Sequence, residues 1–316
     1  MGIKNIFRIN NIYENNKKIG KKITLFGKEY EFFPYPRKKF IENIKIESNV
    51  KKDKSYISIA AISKNEGPYI KEWIEYHKLV GVDRIYFYDN ESQDNTKEVL
   101  KPYIEDGTVI YHYVQGKCMQ IPVYMDAIYR YKNNTKWLGI IDLDEFIVPV
   151  EKDNLKDFLK DYEKYPGIAI NWIMFDSNGY EKHPEGKLII EAYTRVHKNY
   201  RSGNHIKSIV NPKKVIRPFT PHACRYKNFQ YAVNENYEKI DRYPTYFSKK
   251  YTDSKIRINH YYAKSLEDYE KKVNRGFADQ TTKREVVYAW VNFSETTNDY
   301  TIQKYVPKLR KQMGMN

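Results

Sequence analysis

A short apolar run, Trp137-Leu138-Gly139-Ile140-Ile141, ends abruptly in Asp142-Leu143-Asp144-Glu145. The run reads as a buried strand. Three carboxylates at its carboxyl end are costly to fold around unless they are solvated or bind something. Two Asp residues separated by one residue can both face a hard cation, whose remaining positions suit phosphate oxygens. The same residues also make an ordinary strand-end turn, so the surrounding sequence has to decide.

That surrounding sequence has an α/β rhythm beginning at Tyr56. Ile57-Ser58-Ile59-Ala60-Ala61-Ile62 is a buried strand. Pro68 opens a helix with an apolar stripe at Ile70, Trp73, Ile74 and Val80, and Gly81 closes it. Arg84–Tyr88 is a second strand. Asp94 caps the next helix, which carries Val99 and Leu100. Val109–Tyr113 is a third strand, and a helix over roughly 120–132 precedes the run into Asp142. Strands alternating with helices predict an α/β fold, a mainly parallel sheet flanked by helices. Such sheets bind ligands beyond the carboxyl ends of their strands. Three polar clusters fall there: Ser63-Lys64-Asn65-Glu66, Asp89-Asn90-Glu91-Ser92 and Asp142–Glu145.

After Pro149 the rhythm loosens. Leu155, Phe158 and Leu159 mark a short helix, Ile168–Ile173 a strand, and Leu266, Tyr269, Val273 and Phe277 a late amphipathic helix. Residues 174–260 read as loops mixed with short strands, a surface suited to binding. Residues 1–55 are rich in Lys and Asn. They hold a hairpin over Thr24–Phe32 turning at Gly27-Lys28 and ended by Pro34 and Pro36, then a linker at Glu47–Lys54.

Composition narrows the partners. The 316 residues are 41% hydrophobic, enough for a sizeable core. The net charge of +15, from 55 basic and 40 acidic residues, favours nucleic acid, an acidic membrane face or a phosphorylated substrate. A solvated, Lys-rich surface is the alternative reading. Two cysteines, Cys118 and Cys224, exclude a disulfide framework and a Cys-pair zinc site. The first residues lack an apolar h-region, Ile6 argues against myristoylation, and no stretch approaches a membrane span. The expected location is cytoplasmic, with lysine-mediated contact to an anionic inner membrane face left open.

Several ordered pieces resemble GT-A fold glycosyltransferases, most closely glycosyltransferase family 92, over residues 56–285. They are Ala60–Glu66 followed by Trp73-Ile74-Glu75-Tyr76-His77; Tyr88–Thr96, similar to the nucleotide-binding turn of family 2; Gln120, Tyr124 and Asp126 ahead of Trp137 and Asp142–Phe146; Lys207-Ser208-Ile209-Val210 with Pro212 and His222; and Ile258–Ser265. The resemblance implies transfer of a sugar from a nucleotide donor, a UDP-sugar such as UDP-galactose, to a glycan or glycolipid acceptor in bacterial surface polysaccharide synthesis. It implies Mn²⁺ or Mg²⁺ as cofactor and an inverting reaction. It divides the chain into an N-terminal extension (1–55), a nucleotide-sugar-binding half (56–150), an acceptor-binding half (151–285) and a C-terminal helical tail (286–316).

By the same resemblance, Asp142 and Asp144 are the metal and diphosphate residues, and His260 completes the metal site. His222 competes with His260 for that role, and a core histidine is the plainer reading of either. Asp89 contacts base or ribose, or is simply a helix-entry turn residue. Lys64, Glu66 and Gln120 reach the nucleotide, and Lys207 is a further polar contact. An inverting transfer needs a carboxylate base near the acceptor hydroxyl. Asp176 is the first choice for it, with Glu181 and Glu235 open. Two other functions compete: a basic nucleic-acid-binding protein, for which no binding motif or Arg stripe is found, and a nucleotidyltransferase, which would need a Gly-rich phosphate loop that Ser63–Glu66 is not. No nucleic-acid partner is expected.

Overall fold

The computed structural model describes residues 7–14, 17–25, 28–32, 42–48, 54–240 and 246–315. The turn residues Phe26 and Gly27, both prolines Pro34 and Pro36, and residues 49–53 of the expected linker lie outside them. Strands β1 (Phe7–Glu14), β2 (Lys17–Leu25) and β3 (Lys28–Phe32) form a three-stranded antiparallel sheet with Leu25 opposite Lys28. The expected hairpin is therefore present, with Lys28 already in the strand.

The remaining elements follow in chain order: β4 (Ile44–Ile46), β5 (Ser55–Ser63), α1 (Gly67–Leu79), β6 (Arg84–Asp89), α2 (Thr96–Glu105), β7 (Val109–Val114), α3 (Gln120–Tyr131), β8 (Thr135–Ile140), β9 (Glu145–Pro149), α4 (Leu155–Lys160), β10 (Gly167–Met174), α5 (Ile189–Ala192), β11 (Arg195–His197), β12 (Ile206–Val210), β13 (Val215–Pro218), β14 (Cys224–Tyr226), β15 (Ile256–His260), α6 (Leu266–Arg275), β16 (Thr296–Asn298) and α7 (Val306–Met313). Among the described residues nine strands make one sheet in the order β4-β7-β6-β5-β8-β12-β10-β15-β9. Its block β7-β6-β5-β8 is parallel, as the alternation predicts. Antiparallel pairings enter with β4, β12 and β9.

Both faces of the parallel block are covered. Ile57, Ile59 and Ala61 of β5 and Ile85 and Phe87 of β6 share one core with Trp73 and Ile74 of α1 and Leu100 of α2. Their neighbours Ala60, Ile62, Tyr86 and Tyr88 point the other way, onto Val123, Tyr124 and Ile128 of α3. This two-sided burial is why the strands read as unbroken apolar runs. Gly81 closes α1 at φ +103°, where a side chain would also collide with Asn154. Asp94 ties two helix starts together: it accepts from Thr96 N at 3.1 Å and from Gly67 N at 2.8 Å.

β9 is the last strand of the sheet, and an edge strand leaves backbone groups to be satisfied. Three side chains of α1 do this. Trp73 Nε1 donates to the Glu145 carbonyl at 2.8 Å, Tyr76 Oη donates to the Ile147 carbonyl at 3.1 Å, and Ile147 N donates to His77 Nε2 at 3.3 Å. Burial pushes His77 down to about 3, so its ring is neutral and able to accept. The Trp73–His77 segment thus holds the strand that begins with Glu145.

The opposite partner of β9 is β15, and Glu235 fixes its start. This buried carboxylate accepts from the backbone N–H groups of Ser254, Lys255 and Ile256, each at 2.9 Å. Among the described residues no helix is long and apolar enough to cross a membrane. Glu235→Ala leaves three backbone donors at the entrance to β15 without their acceptor. Urea unfolding is expected to show a loss of about 3 kcal/mol; a loss within error of zero would mean that water satisfies those groups equally well.

Candidate active site at the acidic strand end

Strand order puts a crevice where the sheet changes direction of growth. β6 and β7 lie on one side of β5, and β8 lies on the other. Ligands of open α/β sheets bind at such a point, outside the carboxyl ends of the strands. Here those ends are Ser63-Lys64 after β5 and Asp142 after β8. A cleft of about 450 Å³ opens there, lined among others by Lys64, Glu66, Asn90, Gln120, Asp142, Asp144, His222 and His260. That volume is ordinary for a small-molecule site.

The acidic turn closes on itself. Glu145 N donates to the Asp142 carbonyl at 3.1 Å, and Asp142 N donates to Glu145 Oε2 at 2.9 Å. Lys207 comes in from β12, fully buried, with Nζ 2.8 Å from Asp142 Oδ2 and 3.4 Å from Glu145 Oε2. Gln120 Nε2 and Tyr124 Oη, one turn apart on α3, donate to Asp142 Oδ1 at 2.9 and 2.8 Å. Burial opposes the charge on Asp142, but the Lys207 ammonium outweighs it and holds the carboxyl below its usual range. Glu145 lacks that balance. Burial raises it to about 8 despite Lys207, and the charges of Asp142 and Asp144 add to the rise. Burial likewise works against Lys207, yet Asp142 and Glu145 keep its pKa raised.

β9 folds back antiparallel on β15 with Glu145 opposite His260, and Tyr261 N donates to the Asp144 carbonyl at 2.8 Å. This register sets His260 beside Asp144: Nε2 lies 3.4 Å from Oδ1, with both residues buried. The other carboxylate oxygen, Oδ2, meets the ammonium of Lys272 from α6. Lys272 also donates to the Tyr262 carbonyl at 2.9 Å and sits 3.7 Å from the centre of the Tyr262 ring. Burial penalises the charge on Asp144, but Lys272 and His260 hold it well below the usual carboxylate range. Burial lowers the pKa of His260, against the pull of the Asp144 carboxylate.

The three expected metal ligands do not meet at one point. Among the described residues no three His, Cys, Asp or Glu side chains do. Asp142 has both oxygens engaged by Gln120, Tyr124 and Lys207. Asp144 Oδ2 is likewise engaged, by Lys272, which leaves Asp144 Oδ1 and His260 Nε2 as the pair that would hold a divalent cation. Two ligands at right angles around an ion of Mg²⁺ size stand about 3 Å apart, close to the observed 3.4 Å, and an oxygen with an imidazole nitrogen suits Mn²⁺. His222 lines the same cleft, but its Nδ1 is tied to the Ile206 carbonyl at 2.8 Å.

Other expected site residues are placed differently. Glu66 is buried and ion-paired with Arg275 at 2.6 Å and Lys264 at 3.4 Å, so its carboxylate orders cations rather than a nucleotide. Asp89 does not line the main cleft. It accepts from Ser92 N at 2.9 Å and Tyr111 Oη at 2.7 Å, closing its own turn beside a separate hollow; its neighbour Asn90 faces the cleft instead. Asp176, the first choice as base, is fully buried in a two-pronged pair with Arg195 at 3.0 and 2.7 Å and accepts from Asn178 N and Phe293 N. It is a structural carboxylate that ties the end of β10 to β11 and the C-terminal segment. Glu235 caps β15, and the exposed Glu181 does not line the cleft.

The sequence reading missed the cations and the carboxylate beyond β15. Lys272, Arg275 and Arg284 line the cleft, and Asp279 lies at its mouth. Arg284 Nε and Nη1 are buried with no hydrogen-bond partner among the described residues. Lys272 had a visible signal: it follows Tyr269 by three positions, on the buried face of the late helix.

The fold and cleft define an α/β protein with a cation-lined crevice at a sheet switch point. The family model described as glycosyltransferase family 92 matches residues 55–313. The chain belongs to glycosyltransferase family 92. It is 30% identical over 112 residues to a family 92 protein of Oryza sativa subsp. japonica, covering 35% of this chain and 19% of that one. It is 27% identical over 205 residues to galactan beta-1,4-galactosyltransferase GALS3 of Arabidopsis thaliana, covering 61% and 38%. The chain spans less than half the length of these relatives. Among solved structures, S. aureus TarS 1-349 in complex with UDP aligns with a TM-score of 0.29 and 17% identity over 42% of this chain and 38% of that one.

Two substitutions check the assigned roles. Lys207→Met leaves the buried acid pair without its counter-charge, and stability at pH 7 is expected to fall by about 3–5 kcal/mol. The folded-state pKa of Glu145 is raised, so the folded protein holds the extra proton; stability from this group is present at low pH and lost as pH rises from about 4 towards about 8. Urea melts of the variant should therefore recover part of the loss on acidification, and a flat profile would contradict the role given to Lys207. Asp176→Asn is expected to lower the melting temperature while leaving turnover per folded molecule intact; loss of turnover in the folded variant would return Asp176 to the site.

Proposed function

We propose that this glycosyltransferase moves a hexosyl group, galactose, from a uridine diphosphate sugar to a hydroxyl of a glycan or glycolipid acceptor in surface polysaccharide assembly, with inversion and with Mn²⁺ or Mg²⁺ as cofactor. The observation that carries this reading is the cation set facing the switch-point crevice: Lys272 beside Asp144 and His260, with the unpartnered guanidinium nitrogens of Arg284. The guanidinium stacks on the Phe277 ring at 4.4 Å, yet nitrogens buried without a hydrogen-bond acceptor are costly, and a diphosphate is the ligand class that relieves them bidentately. The names of the relatives, galactan beta-1,4-galactosyltransferase in Arabidopsis thaliana and beta-1,4-galactosyltransferase galt-1 in Caenorhabditis elegans, support galactose as the sugar.

In this reading Asp144 and His260 hold the divalent cation, which supplies charge neutralisation to the diphosphate when bound. Lys272 and Arg284 add fixed positive charge on the side where negative charge grows as the sugar's anomeric C–O bond breaks. Lys207, Gln120 and Tyr124 keep Asp142 ionised and oriented at the crevice wall. The acceptor oxygen forms the new bond to the anomeric carbon, and its proton goes to a carboxylate. Asp279 is the proposed base: it lies at the mouth of the cleft, makes no ion pair among the described residues, and has its pKa raised by partial burial and by the charge of Asp142.

Hydrolysis of UDP-galactose by the purified protein tests the reading. The rate should depend on Mn²⁺ or Mg²⁺ and fall by about 10²-fold or more in EDTA and in Asp144→Ala, the scale of losing one main transition-state charge contact. Full activity in EDTA, or in the Asp144→Ala protein, would contradict it.

A further inference from the structure

Trp172, His222 and Tyr246 form a second wall of the cleft that the donor does not need, and His205 and Phe247 extend it beyond the cleft lining. Trp172 of β10 packs against His260 with ring centres 4.5 Å apart, and against His205 at 4.7 Å in a nearly parallel stack. His205 packs against Phe247 at 4.4 Å, and His222 against Tyr246 at 4.7 Å. An unbroken chain of aromatic rings thus runs from the Asp144–His260 pair to the surface, ending in Tyr246 and Phe247, which are 40% and 50% exposed. The two end rings are held by backbone pairing. Ile206 N donates to the Tyr246 carbonyl at 2.9 Å, His205 and Phe247 form an antiparallel bridge, and Ser248 N donates to the Asn204 carbonyl at 2.7 Å.

Position in the sheet says what this wall faces. The nucleotide side of the crevice lies at the ends of β5 and β6, where Lys64 and Asn90 are. The aromatic wall rises from β10 and β12, across β8 from it. A molecule that meets the reacting sugar from this side is the acceptor. Burial lowers the pKa of both His205 and His222, the latter to about 3. Flat, rigidly backed rings beside hydrogen-bonding imidazoles suit the apolar C–H face and flanking hydroxyls of a pyranose. They offer little to a phosphate.

We infer that Tyr246 and Phe247, backed by His222 and His205, form the acceptor subsite and stack on a neutral hexopyranosyl unit of the acceptor glycan. This rests on the donor reading above and adds the chemistry of the second substrate. The test measures binding of neutral galacto-, gluco- and manno-tetraose to the whole chain by saturation-transfer NMR, with UDP and Mn²⁺ present, and UDP binding by calorimetry on the same samples. At least one tetraose should bind the wild-type protein. Phe247→Ala and Tyr246→Ala should each weaken it by roughly fivefold to tenfold, Phe247→Tyr should retain it, and UDP affinity should be unchanged in Phe247→Ala. Binding of UDP but of no neutral tetraose, unaltered sugar affinity in both alanine variants, or a parallel loss of UDP in Phe247→Ala would each overturn the inference. Failure of UDP to bind the wild-type protein would overturn the donor reading and this inference with it.

Discussion

Three carboxylates in four residues are folded into the end of a nine-stranded sheet, and the buried ammonium of Lys207 is what makes that possible. It arrives on β12, antiparallel to β8, and reaches both Asp142 and Glu145. Taking carboxylates out of water costs several kcal/mol each unless charge and hydrogen bonds replace the solvent. Lys207 supplies the charge, and Gln120, Tyr124 and the turn's own backbone supply the hydrogen bonds. Glu145 Oε1 is left without a hydrogen-bond partner among the described residues, while Asp142 and Asp144 both line the cleft, Asp144 with His260 and Lys272 beside it. The division of labour within Asp142–Glu145 follows from which neighbour each carboxylate meets.

The rest of the fold serves that arrangement. α1 covers the edge of β9 through Trp73, Tyr76 and His77, so the strand that begins with Glu145 is held on both sides. Glu235 fixes the entrance to β15, and the β9–β15 register then sets His260 against Asp144. α6 crosses the cleft with Lys272 and Arg275, and its pairing with Glu66 links it back to the end of β5. The high net charge of the chain thus has a local meaning at this site: four cationic side chains, Lys64, Lys272, Arg275 and Arg284, line one cleft.

Much of this was legible from the chain itself. The α/β alternation from Tyr56 to Asp142 gave β5 through β8 and their helices almost residue for residue, because both faces of those strands are buried and their apolar runs are uninterrupted. The acidic turn marked the site for a simple reason: charge at a buried strand end has to be explained. His260 came only through the order of motifs, since its neighbour Asp144 is more than a hundred positions away. The roles of Asp176 and Glu235 were hidden by the same distance. A carboxylate after a strand looks alike whether it will act as a base or meet Arg195 and a row of backbone N–H groups, and apart from Asn178 its partners here lie between 19 and 117 positions off. Asp89 turns its side chain into its own loop, beside a separate hollow, and Asn90 faces the cleft. The aromatic wall was beyond reach, because Trp172, His205, His222 and Phe247 come from segments with no shared pattern in sequence.

The central claim is that Asp144 and His260 together hold the cation that meets a nucleotide diphosphate. Anomalous scattering from Mn²⁺ in crystals grown with UDP tests it most directly. The account predicts one manganese peak within bonding distance, about 2.2 Å, of both Asp144 Oδ1 and His260 Nε2, with the diphosphate on the same ion. UDP bound in the cleft with no manganese there, or manganese held by other residues, would contradict it.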